Sequence, residues 1–433
     1  MTVRGRGAAV GAVLAPAAGP ERVATSAAGP APVTTPRTVG PLRTVHPAAI
    51  AANVRRVTAR GHDLVAVVKA DGYGHGAAVV GRTALAAGAV ALGTATLAEA
   101  LTLRAAGIDA RVLCWLHLPG ADFAAAARDR IEVAVGDEDT LAAVSAAGRR
   151  TRTAVVVHLH IDTGMAREGA EPHRWQGLLD AAAAAERAGE VVVRAVMGHV
   201  PNADRPSAAR AATLLRLAGL AADLTLGHPV DLHLGGTPAA FAGADLTGIA
   251  VRVGAALVGI GPSDADLVPA MTVTAPVVAV RSVRAGTPVG YDGTWTTPRD
   301  AALAVLPVGY ADGVPRAASG SARVRLREGL VPVVGRINMD QVVLDVTGVP
   351  GPPVVPGEVA TLIGPADAAG SAGQPGAGAA VAVPAVTAVP ASAGAPTAAD
   401  WAAWAGTNAH EIVTGLGGRI ARTVDTTNSR STA

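Results

Sequence analysis

Asp63-Leu-Val-Ala-Val-Val-Lys-Ala-Asp-Gly-Tyr-Gly-His-Gly76 places one lysine, Lys69, at the end of a short apolar run and directly before a glycine-punctuated turn. Leu64 to Val68 are too few and too β-branched for a helix, and the run stops at Asp71-Gly72, so the segment reads as a buried parallel strand. Lys69 then sits at the carboxyl end of that strand, where barrels and open α/β sheets present their chemistry. An amine shielded there by apolar neighbours is neutral for part of the time and can attack a carbonyl to form a Schiff base. Gly72, Gly74 and Gly76 let the backbone approach an anion, and Tyr73 offers it a hydroxyl.

Working outward, a helix is expected after His46-Pro47, because Ile50, Val54 and Val57 recur at helical spacing. Up to about residue 270, short apolar runs alternate with Ala-rich helical stretches: Leu64 to Val68, Val90 to Leu92, Val112 to Trp115, Val133 to Val135, Ala154 to Leu159, Val191 to Val196, Leu232 to Leu234 and Ala250 to Val253. Eight strands separated by helices imply an α/β fold and suggest a closed (β/α)8 barrel, although an open sheet gives the same alternation. After Met271 the texture changes to strand-length Val runs divided by Gly and Pro, the signature of an all-β domain. The expected organisation is a disordered Ala/Pro/Gly-rich leader (1–37), a barrel (38–270) and a C-terminal β domain (271–422). A low-complexity insertion is expected at 366–395 and a flexible tail at 423–433.

Composition narrows the function classes. The 433 residues, 50% hydrophobic, are ample for a large core. A formal charge of +2 rests on 36 basic and 34 acidic residues spread along the chain, without a basic block interleaved with aromatics, so nucleic acid is not an expected partner. Cys114 is the single cysteine, which rules out an intrachain disulfide and fits a reducing, cytoplasmic setting. No metal-ligand spacing is found among the eleven histidines. No uninterrupted apolar stretch reaches the roughly 18 residues of a membrane span. With three Tyr in the chain, Tyr310 inside Gly-Tyr-Ala-Asp-Gly stands out as a functional candidate.

Val67-Val-Lys-Ala-Asp-Gly-Tyr-Gly-His-Gly76 resembles the pyridoxal-phosphate lysine motif of alanine racemases. His158-Leu-His-Ile-Asp-Thr-Gly-Met-Ala-Arg167, Gly198-His199, Val251-Arg-Val-Gly254, Pro307-Val-Gly-Tyr-Ala-Asp-Gly-Val-Pro-Arg316, Val334-Gly-Arg-Ile-Asn-Met-Asp-Gln341 and Gly406-Thr-Asn-Ala-His-Glu411 resemble further blocks of that family, in its order, over roughly residues 38 to 422. The resemblance favours the closed barrel over the open sheet. It implies pyridoxal 5'-phosphate as cofactor, an amino-acid substrate and a homodimer whose active sites are shared between chains.

Residue by residue, the resemblance makes Lys69 the base for the D-enantiomer and Tyr310, from the other subunit, the base for the L-enantiomer. Arg252 is the arginine facing the pyridine nitrogen, and because a guanidinium does not readily release a proton, that nitrogen stays unprotonated. His199 lies beside the ring and is expected to hydrogen-bond Arg252. Arg167 is placed near the cofactor phenolate and substrate carboxylate, and Met339 at that carboxylate from the partner chain, with Asp340 orienting loops at the dimer seam. Tyr73, Thr237, Gly254 and Ala255 are the expected phosphate-binding set.

The pattern departs from the family in several places. His160 stands where most relatives carry a lysine, sometimes carbamylated, whose anion holds the arginine at 167; a neutral imidazole cannot do this. Gly236-Thr237 replaces a usual Asn-Ser, Asn338 a frequent Cys, His410 a frequent Tyr, and Gly418 a Tyr that some relatives use for the phosphate. The sequence therefore points to an alanine racemase supplying D-alanine for peptidoglycan. A racemase of another amino acid such as serine, a pathway-specific paralogue, and a non-catalytic cofactor-binding homologue remain as alternatives.

Overall fold

Leu42–Val45 forms the first strand, β1, and it belongs to a different sheet from the eight strands that follow it. The computed structural model describes residues 40–364 and 394–426. The expected leader, all but the last two residues of the expected insertion, and the tail from 427 onward lie outside the described residues.

The eight apolar runs form β2 (Leu64–Val67), β3 (Ala91–Thr96), β4 (Val112–Leu116), β5 (Ile131–Val135), β6 (Val155–His160), β7 (Val191–His199), β8 (Asp231–Gly235) and β9 (Ala250–Val253). Every neighbouring pair is parallel, and β2 pairs with β9 to close the barrel. Buried on both faces, these strands have no reason to alternate polar and apolar residues, which is why they appear as continuous Val/Leu/Ile runs. Helices between them cover the outside and are started by local chemistry. Asp137 accepts from the Thr140 amide at 2.7 Å to begin the helix Glu138–Thr151, and Thr96 with Glu99 forms a reciprocal capping box at the helix Leu97–Ala105. The helix Pro47–Thr58 buries Ile50, Val54 and Val57 as the spacing predicts. Each such aliphatic side chain removed from water contributes roughly 1.5–3 kcal/mol.

The second part contains β10 (Met271–Pro276), β11 (Ala279–Val283), β12 (Pro288–Val289), β13 (Trp295–Thr296), β14 (Ala301–Leu306), β15 (Arg323–Leu326), β16 (Gly329–Pro332), β17 (Val342–Asp345), β18 (Val359–Ile363) and β19 (Ala421–Val424). A six-stranded sheet has the order β16-β15-β18-β10-β1-β19, beside a three-stranded sheet β11-β14-β17 and the small hairpin β12-β13. Two short helices, Ala398–Ala405 and Ala409–Gly415, accompany the strands. Trp401 anchors the first of them, fully packed and donating from its indole N–H to the Leu362 carbonyl at 2.6 Å.

Two boundaries differ from the sequence expectation. Residues from 38 were assigned to the barrel, yet β1 pairs antiparallel with β10 and parallel with β19, so the chain begins its described course in the β sheet. The flexible tail was expected from 423, yet Thr423 and Val424 are the last residues of β19. In both cases the strand is four residues long and its partners are remote in sequence, so local pattern carries no sign of them.

Candidate functional site

Lys69 follows β2 as predicted, half-buried, and the chain beyond it does something no sequence pattern announces. Ala70, Asp71, Gly72 and Tyr73 have φ of 52°, 52°, 62° and 56°, one turn of left-handed helix. For the three non-glycine residues this costs roughly 1–2 kcal/mol each, so the surroundings must impose it. Glu99 accepts from the Ala70 amide at 2.7 Å while also capping its own helix. Asp71 accepts from the Ala77 amide at 3.0 Å and pairs with Arg422 of β19. The helix Ala409–Gly415 lies directly on the turn, and a Cβ on Gly74 would overlap the Val413 carbonyl. The lysine is thus fixed in place by both parts of the molecule.

Around Lys69 stand the ends of several barrel strands. Asp162 accepts from the amides of Gly164, Met165 and Ala166, a turn that presents Arg167. Thr163 donates to the His199 carbonyl at 2.5 Å and accepts from its amide at 3.0 Å, tying the ends of β6 and β7. Burial lowers the Lys69 amine from its ordinary value, with the Arg167 charge adding to the effect and Glu99 and Glu168 opposing it. Burial, reinforced by the charges of Arg252, Arg167 and Lys69, brings the His199 imidazole down to about 3. His160 falls to about 3 for the same reason, burial first and then Arg252 and Arg167, so it is neutral as expected. With Arg167, Glu168 and His199 it lines a cavity of about 10 Å³. His410 reaches the cluster from the β domain, its ring centroid 6.1 Å from that of Tyr73.

Arg252, fully buried on β9, is held differently from the expectation. Instead of a bond with His199, its Nη1 donates to Nδ1 of His233 at 2.8 Å and its Nη2 to the Gly198 carbonyl at 2.8 Å. His233 Nε2 lies 2.7 Å from His158 Nδ1, and His158 Nε2 lies 2.8 Å from Glu132. Gly235, which pairs directly with Arg252 across β8 and β9, makes room for this arrangement. Any Cβ there would overlap both Arg252 Nη2 and His199 Nδ1, so the guanidinium crosses a residue with no side chain and reaches down to His233. Burial, with the Arg167 charge, lowers the guanidinium to about 9, still protonated at neutral pH.

The expected phosphate set comes together on the same rim. Burial pushes the Tyr73 phenol up to about 12, which keeps it a hydrogen-bond donor. Its ring occupies the space a Cβ on Gly254 would need. Thr237 Oγ1 accepts from the Ala256 amide at 3.4 Å, beside the turn Ala255–Val258 whose first amides have no partner within the turn. A buried neutral phenol and a hydroxyl beside this turn, an amine whose basicity burial lowers and a held guanidinium are groups that fit a flat ring bearing an aldehyde and a phosphoryl ester.

Tyr310, Met339 and Asp340 form a second group, on the β domain. The Tyr310 amide donates to Asn338 and that of Ala311 to Met339, each at 3.0 Å, and Tyr310 and Met339 are 40% and 52% exposed. Arg419 grips Asp312 with two bonds, at 2.7 and 2.9 Å, and Asp340 with a third at 2.6 Å, while Asp312 accepts from the Gly309 amide at 2.9 Å. Tyr310 borders a cavity of about 360 Å³ with Arg316 and Glu411. Among the described residues, no hydrogen bond or ring contact joins this group to the Lys69 cluster. Sequence reasoning missed Glu99, Glu132, His233, Asp312 and Arg419. The Thr96-x-x-Glu99 box was visible as a motif, whereas the others show themselves only through their partners.

The family model described as alanine racemase, N-terminal domain, matches residues 45–262, and that of the C-terminal domain matches residues 270–380. The alanine racemase of Mycolicibacterium smegmatis is 41% identical over 404 residues, covering 91% of this chain and 96% of that one. That of Mycolicibacterium vanbaalenii is 42% identical over 370 residues, 83% and 87% of the two chains. Among solved structures, the alanine racemase of D-cycloserine-producing Streptomyces lavendulae superposes with a TM-score of 0.78 at 35% identity, covering 90% of this chain and 98% of its own. The Bartonella henselae enzyme with covalently bound pyridoxal phosphate gives 0.73 at 25% identity, covering 89% and 100%.

Proposed function

The chain belongs to the alanine racemase family, and from that premise we propose that it interconverts L-alanine and D-alanine with pyridoxal 5'-phosphate, as a cytoplasmic homodimer that supplies D-alanine to peptidoglycan synthesis. Pyridoxal phosphate, when bound, would supply an electron sink for the charge left on Cα once its proton is removed. The residues of this chain divide the remaining work. Lys69 holds the cofactor and takes or returns the proton on one face; its depressed basicity keeps a larger neutral fraction available. Tyr73, Thr237, Gly254 and Ala255 bind the phosphate. Arg252 would face the ring nitrogen, His199 would flank the ring, and Arg167 would serve the phenolate and substrate carboxylate.

Tyr310 is the base for the opposite face and acts in the partner's site, with Met339 touching the substrate carboxylate and Asp340 steadying both loops through Arg419. Their exposure on the β domain, with no hydrogen bond or ring contact to the Lys69 cluster among the described residues, supports that assignment. Among the described residues no helix is long and apolar enough to cross a membrane.

The observation that carries the proposal is Lys69 itself. It is the only lysine in the chain, and it is imposed on the mouth of the barrel by a strained turn. Incubating the protein with pyridoxal phosphate, reducing with borohydride and digesting should yield one labelled peptide, containing residue 69, alongside a chiral assay that shows both enantiomers appearing from either one. A colourless, unlabelled protein, or a labelled one that leaves alanine optically unchanged, would refute the proposal.

A further inference from the structure

We infer that Glu132, on β5, is a remote positioning residue for Arg252, fixing the direction of every hydrogen bond in the line of side chains that joins them. The inference rests on the reading above that Arg252 serves the cofactor ring. The line runs Glu132, His158, His233, Arg252 through the barrel interior, from β5 to β6 to β8 to β9, with all four side chains buried.

The direction follows from charge and hydrogen count. Burial would raise the Glu132 carboxyl, but the hydrogen bonds from His158 and Arg111, and their charges, bring it down to about 2. Arg111 Nε lies 3.0 Å from its Oε1, and Arg194 Nε lies 3.4 Å from the same oxygen. Burial keeps both histidines neutral, offset at His158 by Glu132 and reinforced at His233 by Arg252. An ionised carboxylate only accepts, so His158 carries its proton on Nε2 and donates it to Glu132. Nδ1 of His158 is then bare and accepts from Nε2–H of His233. Nδ1 of His233 is bare in turn and accepts from Arg252, which only donates. Reversing any one bond sets N–H against N–H at the guanidinium and leaves a buried donor without a partner. Both ends therefore demand the same pair of tautomers: Arg252 needs a bare Nδ1 on His233, and Glu132 is the terminal acceptor that lets His158 and His233 carry their protons on Nε2 with every buried donor partnered.

Substituting Glu132→Gln removes this constraint with little change in shape, since an amide donates as well as accepts. Nitrogen NMR on histidine-labelled protein, with and without pyridoxal phosphate, should show both rings as Nε2–H tautomers in the unsubstituted chain, and a mixed population in E132Q, where only Arg252 still opposes the reversed pair. In the same variant kcat for alanine should fall about tenfold, the scale of losing a group that orients a site residue, with KM unchanged. His158→Leu, which breaks the line one link closer, should likewise free the His233 tautomer and lower kcat, and it carries the test if E132Q does not fold. An Nδ1–H or doubly protonated ring in the unsubstituted protein overturns the inference, as do E132Q or H158L proteins whose His233 tautomer and kcat match it. The tautomer readout needs no substrate, so it decides the point even for a protein that fails to racemise alanine.

Discussion

Asp71 and Arg422 lie 351 positions apart and form an ion pair, joining the turn that follows Lys69 to the last described strand. The same carboxylate accepts from the Ala77 amide, so one aspartate ties the left-handed turn both to the next helix and to the β domain. Arg422 is 33% and Asp71 55% exposed, which limits the pair's worth to global stability to roughly 0.5–1 kcal/mol. Its local effect is larger, because the turn is strained. Arg422→Ala should therefore lower Tm only slightly while weakening pyridoxal phosphate binding several-fold by spectroscopic titration. Equal and large losses in both would show that the pair is a general stabiliser instead.

Two glycines near the expected phosphate positions should behave in opposite ways. A Cβ on Gly254 would collide with the Tyr73 ring, whereas one on Gly418 meets nothing within 4 Å. Gly254→Ala should displace the phenol and weaken cofactor affinity about tenfold, the scale of a lost hydrogen bond to a charged group. Gly418→Ala should be neutral. Matching dissociation constants for the two variants would remove Tyr73 from the phosphate set.

Acid should destabilise the fold earlier than carboxylate chemistry alone would. Burial lowers His75 to about 4 and His160 to about 3 from the model-compound value of 6.5. An unfolded histidine gains its proton below 6.5 and a folded one does not, so stability is lost progressively as pH falls from 6.5 toward those folded values. One unit below 6.5 each ring costs about 1.4 kcal/mol. Glu132, depressed to about 2, gives a separate loss confined to the window below 4.5. Thermal melts should show Tm dropping already between about pH 6.5 and about pH 5, and a level Tm across that interval would contradict neutral burial of these rings.

Sharing of active sites between chains has a statistical signature. Lys69→Ala and Tyr310→Phe proteins should each be inactive. Unfolded together in equal amounts and refolded, half of the dimers are hybrids, each with one site that has both bases, so about a quarter of the normal activity should return. No recovery, with hybrid dimers demonstrated by mass, would place both bases in one chain.

The barrel was legible because strands buried on both faces must be apolar throughout, and eight such runs with helices between them leave few architectures. Lys69 was legible for the same reason, as a polar residue at the end of one run. What stayed hidden depends on closure. Nothing in the sequence distinguishes His233 from His199 as the partner of Arg252; the choice shows only once β8 and β9 pair and the guanidinium lies over Gly235 with its Nη1 on His233. Glu132 stands just before the Val133 to Val135 run, and nothing there announces His158, which β6 brings against it. The four residues of β1 carry a pattern any edge strand might have, and their partners are more than two hundred positions away.

That pairing has a consequence for synthesis on the ribosome. The eight-stranded barrel is inserted between β1 and β10, so it can close as soon as β9 has emerged, while β1 waits with exposed backbone groups for β10 and, at its other side, for β19. Because β19 also carries Arg422, the turn that aims Lys69 receives this tether only after all the other described strands of the β domain have been made. Protein truncated before β19 would then accumulate with a sound barrel and a loosely held lysine, a species in which cofactor loading lags behind folding.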